Sequence, residues 1–438
     1  MRHRRRWAGV LLVVLILAGS FTPPFRAAMN FPERVAIPAG DSVQIRLGLP
    51  FAVRVEADRS GMIQVNGLAL GDRAMTIVAQ ALSLRPLATG QVTLDLKLFG
   101  IIPFRQLTVD IVPPLRVYPG GQSIGVLLRT DGVLVVGHAP VRGADGQIHD
   151  PARDAGLAVG DRIVRLDGRP VENVEQVAER IHRAGDAGQA IDLEVVRNGR
   201  RFQTRVSPVY DREHGRYLIG VWIRDSSAGV GTLTFYEPQT GIYGALGHTV
   251  LDADTGEPLP VAGGRIVPAD VVEVNRGAQG RPGEKIGVFE ATSPTLGDVR
   301  RNTPYGLVGR LSVSLEHPLF EEPIPVGLAS RVQPGPAEIL TVVEGQRLQR
   351  FTVEIERILG NHAGGKNMIV HVTDPDLLAV TGGIVQGMSG SPILQNGRLV
   401  GAITHVFVND PTRGYGVFIE WMIRESGLLD HAWQAQAG

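Results

Sequence analysis

The chain has 438 residues, 43% of them hydrophobic, enough for two or three separate cores. Its 44 basic residues balance 44 acidic ones, which argues against nucleic acid or an acidic membrane surface as the main partner. With no cysteine, disulfides, thiolate zinc sites and cysteine catalysis are all excluded. The chain opens with "MRHRRRWAGVLLVVLILAGS", in which Arg2, Arg4, Arg5 and Arg6 precede an apolar run from Trp7 to about Gly19. A basic flank followed by a short apolar stretch reads as an export signal over 1–28, and it is shorter than the ~20 residues of a spanning helix. "FRAAMN" is the candidate cleavage site; removal and retention as an anchor both remain open. The rest of the chain is expected outside the cytoplasm, exported across the membrane and either secreted or tethered to it.

Residues 29–113 alternate apolar and polar in "SVQIRLGLPFAVRVEA", "QVTLDLKLFG" and "RQLTVDIV", which predicts a small antiparallel β domain. "PPLRVYPGG" marks a boundary. In 114–207 the elements are mixed. "DPARDAGLAVGDRIVRLDGRPV" reads as a short helix, a turn, a strand and a hairpin. "NVEQVAERIHRAG" spaces Val174, Val177, Ala178 and Ile181 for an amphipathic helix, with Asn173 as N-cap and Gly185 as stop. Two strands follow around an Asn198-Gly199 turn. From 208 to 438 many short strands separated by turn residues predict a barrel or sandwich, with a helical tail at "FIEWMIRESGLL".

The segment "AGLAVGDRIVRLDGRPVENVEQVAERI" resembles PDZ domains of the bacterial protease-associated type. The resemblance implies a glycine loop that receives a peptide C-terminus, with the peptide added as a strand beside the helix. The matching loop is expected at "QSIGV", with Ile124, Gly125 and Val126 lining it.

Chemistry concentrates in "QGMSGSP", Gln386 to Pro392. Serine attacks a carbonyl only when a base takes its proton and paired N–H donors hold the oxyanion. Gly387 can turn its N–H inward, and the N–H of Ser389 points the same way, so these two amides are the expected oxyanion donors. Ser389 holds the nucleophile's place in a Gly-x-Ser-Gly turn; Ser391 precedes a proline and is expected to enter the next strand. His248, in "YGALGHTVLD", is the candidate base, and His317, His362 and His371 are weaker rivals. His405, in "AITHVFV", is expected to pack near the site.

"GTLTFYEPQTGIYGALGHTVLDADTG" and "HVTDPDLLAVTGGIVQGMSGSPILQNGRLVGAITHVFVNDPTRGYGVFIEWM", behind a PDZ domain, resemble the SpoIVB family of stage IV sporulation serine peptidases. The resemblance implies a mainly β, multi-domain chain: a small N-terminal β domain, an α+β PDZ domain, and a chymotrypsin-like double β-barrel. It implies an exported endopeptidase that cleaves itself and a regulatory subunit of a membrane-embedded metalloprotease complex, triggering sigma-K precursor processing in the intermembrane space of the forming endospore. Carried over by position, the nucleophile falls on Ser389, the base on His248 and the acid on Asp374. Asp376 and Asp298 are alternatives for the acid, the latter with the spacing of a first-barrel carboxylate. No His-Glu-x-x-His spacing is present, so no metal or cofactor is expected. The competing reading is a noncatalytic PDZ-containing envelope scaffold with a peptidase-like fold.

Overall fold

Wherever Val, Ile and Leu alternate with polar residues, the chain forms strands that bury one side chain in two. The computed structural model describes residues 31, 33–47, 52–70, 74–78, 81–290, 292–360 and 364–429; the expected export segment and His362 lie outside them. The chain falls into two units, the first built on 33–116 and the second on 117–324 and 333–426.

The first unit contains β1 (Arg34–Pro38), β2 (Val43–Arg46), β3 (Val53–Ala57), β4 (Ile63–Val65), β5 (Leu68–Ala69), β6 (Met75–Ile77), β7 (Ala81–Pro86), β8 (Gly90–Leu98) and β9 (Ile102–Val112). They form a five-stranded sheet in the order β1-β9-β8-β3-β6 and a four-stranded sheet in the order β2-β7-β4-β5. Alternation in β8 sends Val92, Leu94 and Leu96 inward, where they share one core with Ile63 and Leu84 of the second sheet. A β domain is expected there, but not a wholly antiparallel one: β1 pairs with β9 in parallel.

The second unit holds two closed six-stranded barrels. After β10 (Arg116–Pro119), the first is formed by β11 (Ser123–His138), β20 (Val221–Tyr236), β21 (Ile242–Ala245), β22 (Val261–Pro268), β25 (Gly297–Thr303) and β26 (Gly306–Leu311). It closes because β11 pairs with β22 on one side and β20 on the other. A hairpin of β23 (Asp270–Asn275) and β24 (Glu284–Val288) projects from it, and β27 (Ile324–Pro325) follows. The second barrel runs β28-β29-β30-β33-β32-β31. Its strands are β28 (Gly335–Val342), β29 (Leu348–Ile358), β30 (Met368–Val372), β31 (Pro392–Gln395), β32 (Arg398–Phe407) and β33 (Asp410–Phe418).

The PDZ module lies inside the first barrel's opening hairpin. Beyond Arg129 and Ser226 the ladder between β11 and β20 is interrupted, then resumes from Leu134–Arg224 to His138–Val221. Onto this extension are built β12 (Val141–Arg142), β13 (Ile148–His149), α1 (Pro151–Asp154), β14 (Arg162–Leu166) and β15 (Arg169–Pro170). Then come α2 (Val174–Asp186), β16 (Ile191–Arg197), β17 (Arg200–Val206), β18 (Val209–Asp211) and β19 (Arg216–Leu218). The Asn173 side chain caps α2 by accepting from the Gln176 N–H, as the sequence predicts, though the helix continues one residue past Gly185. Asn198 and Gly199 both take positive φ, as a tight hairpin turn requires. The expected border between a PDZ domain at 114–207 and a peptidase from 208 is therefore corrected. Residues 123–130 are peptidase barrel, and the PDZ sheet ends on β20. The C-terminal helix is α4 (Ile419–Ser426), after α3 (Pro375–Thr381) in the second barrel.

Candidate active site

The turn between α3 and β31 is shaped by backbone constraints that few side chains survive. Gly387 and Gly390 both have positive φ, and a Cβ on Gly390 would lie 2.3 Å from the Thr232 carbonyl oxygen. The Gly390 N–H donates to the Ile403 carbonyl and the Ser391 N–H to Met388, which pulls Ser391 into the wall. Ser391 is fully buried, whereas Ser389 lines an open cleft of about 820 Å³. The structure therefore separates the two serines as the sequence predicts. Among the described residues the amides of Gly387 and Ser389 donate to no protein acceptor, the condition an oxyanion hole needs.

His248 lines the same cleft, delivered from β21 through Leu246 and Gly247, both at positive φ. Its Nδ1 lies 2.9 Å from the Thr249 carbonyl. That acceptor fixes Nδ1 as the protonated nitrogen and leaves the lone pair on Nε2, the tautomer a general base requires. Burial holds the imidazole below its ordinary pKa. The Ser389 hydroxyl donates to the Thr404 carbonyl at 2.7 Å, so in this resting arrangement it must rotate to reach a base.

Thr232, on β20 and fully buried, ties the pieces together. Its hydroxyl donates to the Gly387 carbonyl at 2.8 Å and its N–H to the Ser389 carbonyl at 3.3 Å. Its own carbonyl accepts the Leu246 N–H at 3.2 Å, two residues before His248. One residue of the first barrel thus holds the nucleophile turn of the second and the segment bearing the base. No short sequence pattern marks it.

The acid is where expectation and structure part. Asp374 is the N-cap of α3: one oxygen accepts the N–H groups of Asp376 and Leu377, the other that of Thr352, all at 3.1 Å. Burial alone would raise its pKa, but these N–H groups outweigh it and hold the carboxyl low. It does not line the cleft. Asp298 is bound to the Arg310 N–H and the Arg300 guanidinium, and Asp376 is exposed in the first turn of α3. Among the described residues no carboxylate contacts His248. Its ring neighbour is His405 on β32, with centroids 5.2 Å apart. Desolvation, His248 and Lys366 together push the His405 imidazole down to about 4, so it is neutral at neutral pH. His317 instead stacks on Tyr118, and His371 faces Glu356.

Lys285 is a further group that sequence reasoning missed. It is buried in β24, its N–H donates to the Gln386 carbonyl, and its stem packs beneath Gly387. Among the described residues its amine reaches the Thr341 hydroxyl and the Val342 carbonyl, each at 3.2 Å, and no carboxylate. Burial pushes the amine down to about 7.

The expected PDZ loop also requires correction. Ile124, Gly125 and Val126 pair with Gly231, Val230 and Gly229 on one side and with Pro268, Val267 and Ile266 on the other. Ladders on both edges leave no N–H free for a carboxylate. Gly125 instead makes room for the Phe289 ring, and Val126 lines the peptidase cleft. The open edge of the PDZ sheet is Val221–Arg224 of β20, which no strand covers among the described residues. α2 lies beside it, its Val174 N–H bound to the Asp225 carboxylate. The glycine loop before that edge is Leu218-Ile219-Gly220, with Gly220 at positive φ. "YLIGV" at 217–221 was the signal available for it.

Residues 215–423 match the model of the SpoIVB peptidase S55 family, and residues 128–207 match that of the PDZ domain. A putative zinc metalloprotease of Bartonella henselae is 35% identical over 82 residues, 18% of this chain and 22% of that protein. The chain thus spans about a fifth of the length of that curated relative. The PDZ domain of the SdrC-like protein from Listeria monocytogenes is similar at 23% identity, covering 21% of this chain and 87% of that one, with a TM-score of 0.17. The active form of the Rv3671c protease from M. tuberculosis is similar at 13% identity, over 46% of this chain and 74% of that one, with a TM-score of 0.26.

Three outcomes test this geometry. Asn caps helices as well as Asp does, so Asp374→Asn should keep kcat within about tenfold, whereas loss of a triad acid by the same change costs about 10⁴. Asp374→Ala should lower stability by about 1 kcal/mol in urea unfolding. Thr232→Val should lower kcat by about tenfold to a hundredfold with KM little changed, and Thr232→Ser should restore most of it. For Lys285 the folded state disfavours the ammonium, so the unfolded chain binds the extra proton between about pH 7 and 10.5. Stability should rise with pH through that window. In urea midpoints measured against pH, Lys285→Met should flatten that slope and be more stable than the parent at neutral pH.

Proposed function

We propose that this chain, whose residues 215–423 match the SpoIVB peptidase S55 family and which carries a PDZ domain, is an exported endopeptidase that cleaves itself and a regulator of a membrane-embedded metalloprotease. The observation that carries the catalytic part is the convergence of Ser389, His248 and two unpaired amides on one cleft. Ser389 Oγ leaves the Thr404 carbonyl and gives its proton to His248 Nε2 as it attacks the scissile carbonyl. The oxyanion accepts from the Gly387 and Ser389 N–H groups. Collapse of the tetrahedral intermediate breaks the C–N bond, and His248 returns the proton to the leaving amine. Water, deprotonated by His248, then hydrolyses the acyl-enzyme by the same steps in reverse.

In this reading the PDZ domain presents substrate. A peptide C-terminus sits at Leu218–Gly220 and its last residues add as a strand to Val221–Arg224, beside α2. The sporulation role and the sigma-K pathway rest on the resemblance of the long C-terminal block to the SpoIVB peptidases, and export rests on the basic-apolar N-terminus.

The scaffold reading draws on two observations: Ser389 is bonded to a carbonyl and, among the described residues, His248 to no carboxylate. Self-cleavage separates the two. Purified protein should convert to discrete fragments on incubation, and Ser389→Ala or His248→Ala should slow this by about 10⁵–10⁶ while leaving the melting curve intact. Fragments that form equally fast in the Ser389→Ala protein would sink the peptidase assignment. In sporulating cells lacking their own SpoIVB-type peptidase, the parent chain should restore sigma-K processing and Ser389→Ala should not.

A further inference from the structure

The PDZ edge and the catalytic cleft share one strand, and the free edge of β20 runs from one to the other. The Leu233 N–H donates to the Gln122 carbonyl, toward β11. Alternation turns the Thr232 N–H and C=O to the opposite edge, where they meet Ser389 and Leu246. The backbone groups of Val230, Ala228 and Ser226 face that same edge, and among the described residues no strand pairs with them there. On the PDZ side the Gly220 carbonyl accepts the Ala139 N–H, so Val221 and Ile223 also present their backbone groups away from β11. Only the irregular stretch at Arg224 and Asp225 separates the two runs.

This edge is open to an incoming chain. Ala228 and Gly229 are exposed, and a Cβ on Gly229 would meet nothing within 4 Å. Ser227 to Val230 line the same cleft as His248 and Ser389. The edge is also flanked along its length. α2 stands beside the PDZ end, with its Val174 N–H on the Asp225 carboxylate. Leu251 and Ala253 line the cleft end, and Arg224 pairs with Asp252 and Asp254 of that same loop.

Polarity decides what such a chain would undergo. A peptide that ends at Leu218–Gly220 and covers Val221–Arg224 has to run antiparallel to β20. Its upstream residues then lie opposite successively later positions of the strand and arrive beside Val230. Thr232, two residues on, holds the Ser389 carbonyl. The bond that reaches the nucleophile therefore has its leaving-amine side toward the PDZ loop. Extended chains match residue for residue, so Val221 to Val230 takes up about ten residues of peptide.

We propose that β20 acts as a ruler: an unstructured C-terminal tail of a protein substrate lies along its free edge, and Ser389 cuts about ten residues before the tail's end. Water adds across that bond, leaving a new carboxylate on the substrate body and a free amine on the released peptide. This rests on the peptidase and PDZ roles proposed above. To test it, synthetic peptides of about 15, 25 and 35 residues, sharing one apolar C-terminal triplet and randomised upstream, are incubated with the full chain. Mass spectrometry should find a released C-terminal fragment of about ten residues from all three. Cuts spread along the peptides, or placed by local sequence irrespective of the terminus, overturn the ruler and leave the peptidase reading intact. A C-terminal amide should slow release at least about tenfold, and equal rates also overturn the ruler. Ala228→Pro removes one outward N–H from an edge that tolerates proline, and should lower kcat/KM for the peptides about five- to tenfold. An unchanged kcat/KM at an unchanged melting temperature counts against the edge. Peptides left whole, or cut equally fast by the Ser389→Ala protein, overturn both the ruler and the peptidase reading beneath it.

Discussion

Three hydrogen bonds from one buried threonine decide whether the two barrels make one active site. Thr232 holds the Gly387 and Ser389 carbonyls from one side and the Leu246 N–H from the other. Each bond is worth only about 1 kcal/mol net, but a buried carbonyl left unpaired costs more than the bond gained, so the turn has little freedom to reorient. Gly390 closes the same contact sterically, because its missing side chain is what lets the turn approach the Thr232 carbonyl. Gly387 and Ser389 line the cleft, and among the described residues their amides have no acceptor.

Thr232 sits on a strand that does two jobs. β20 enters as the open edge of the PDZ sheet at Val221–Arg224, crosses the irregular stretch near Ser226, and becomes barrel wall before reaching Thr232. No linker separates the PDZ module from the peptidase, since both strands of the connection, β11 and β20, remain paired on either side of that stretch. A ligand added to the PDZ edge would order the same strand that latches the nucleophile turn. The insertion also explains why Val126, Gly229 and Val230 face the cleft: they belong to the hairpin from which the module grows.

Local chemistry was legible in the sequence and long-range pairing was not. The Asn173 cap, the Asn198-Gly199 turn, the two serines with opposite fates and the exposure of His248 to the cleft all follow from residues within a few positions of each other. "QSIGV" misled because a glycine in a strand resembles a glycine in a ligand loop, and only the pairing partners distinguish them. Here Gly125 serves Phe289, more than 160 residues away. Asp374 misled for a related reason. An Asp before Pro and a helix is a strong N-cap pattern, and here the Asp374 carboxylate caps the helix and does not line the cleft. Thr232 and Lys285 had no local signature, because a threonine in an apolar strand and a lysine among alternating residues are both ordinary until their burial is known.

Among the described residues no carboxylate lies beside His248, and in the proposed mechanism this would shift where catalysis comes from. In a Ser-His-Asp site the acid orients the base and also stabilises the imidazolium. Here the Thr249 carbonyl fixes the tautomer, but burial and the neutral His405 ring offer the imidazolium no opposing charge. A base of this kind stays deprotonated at lower pH than a free histidine, while the protonated state it reaches during attack is less favoured. In the mechanism proposed above, the barrier would then be lowered chiefly on the other side of the reaction, at the developing oxyanion. That is the side the structure fixes most firmly: two free amides on a turn latched by Thr232, with the buried Lys285 stem beneath Gly387. A site built this way depends on the rigidity of its nucleophile turn more than on its base.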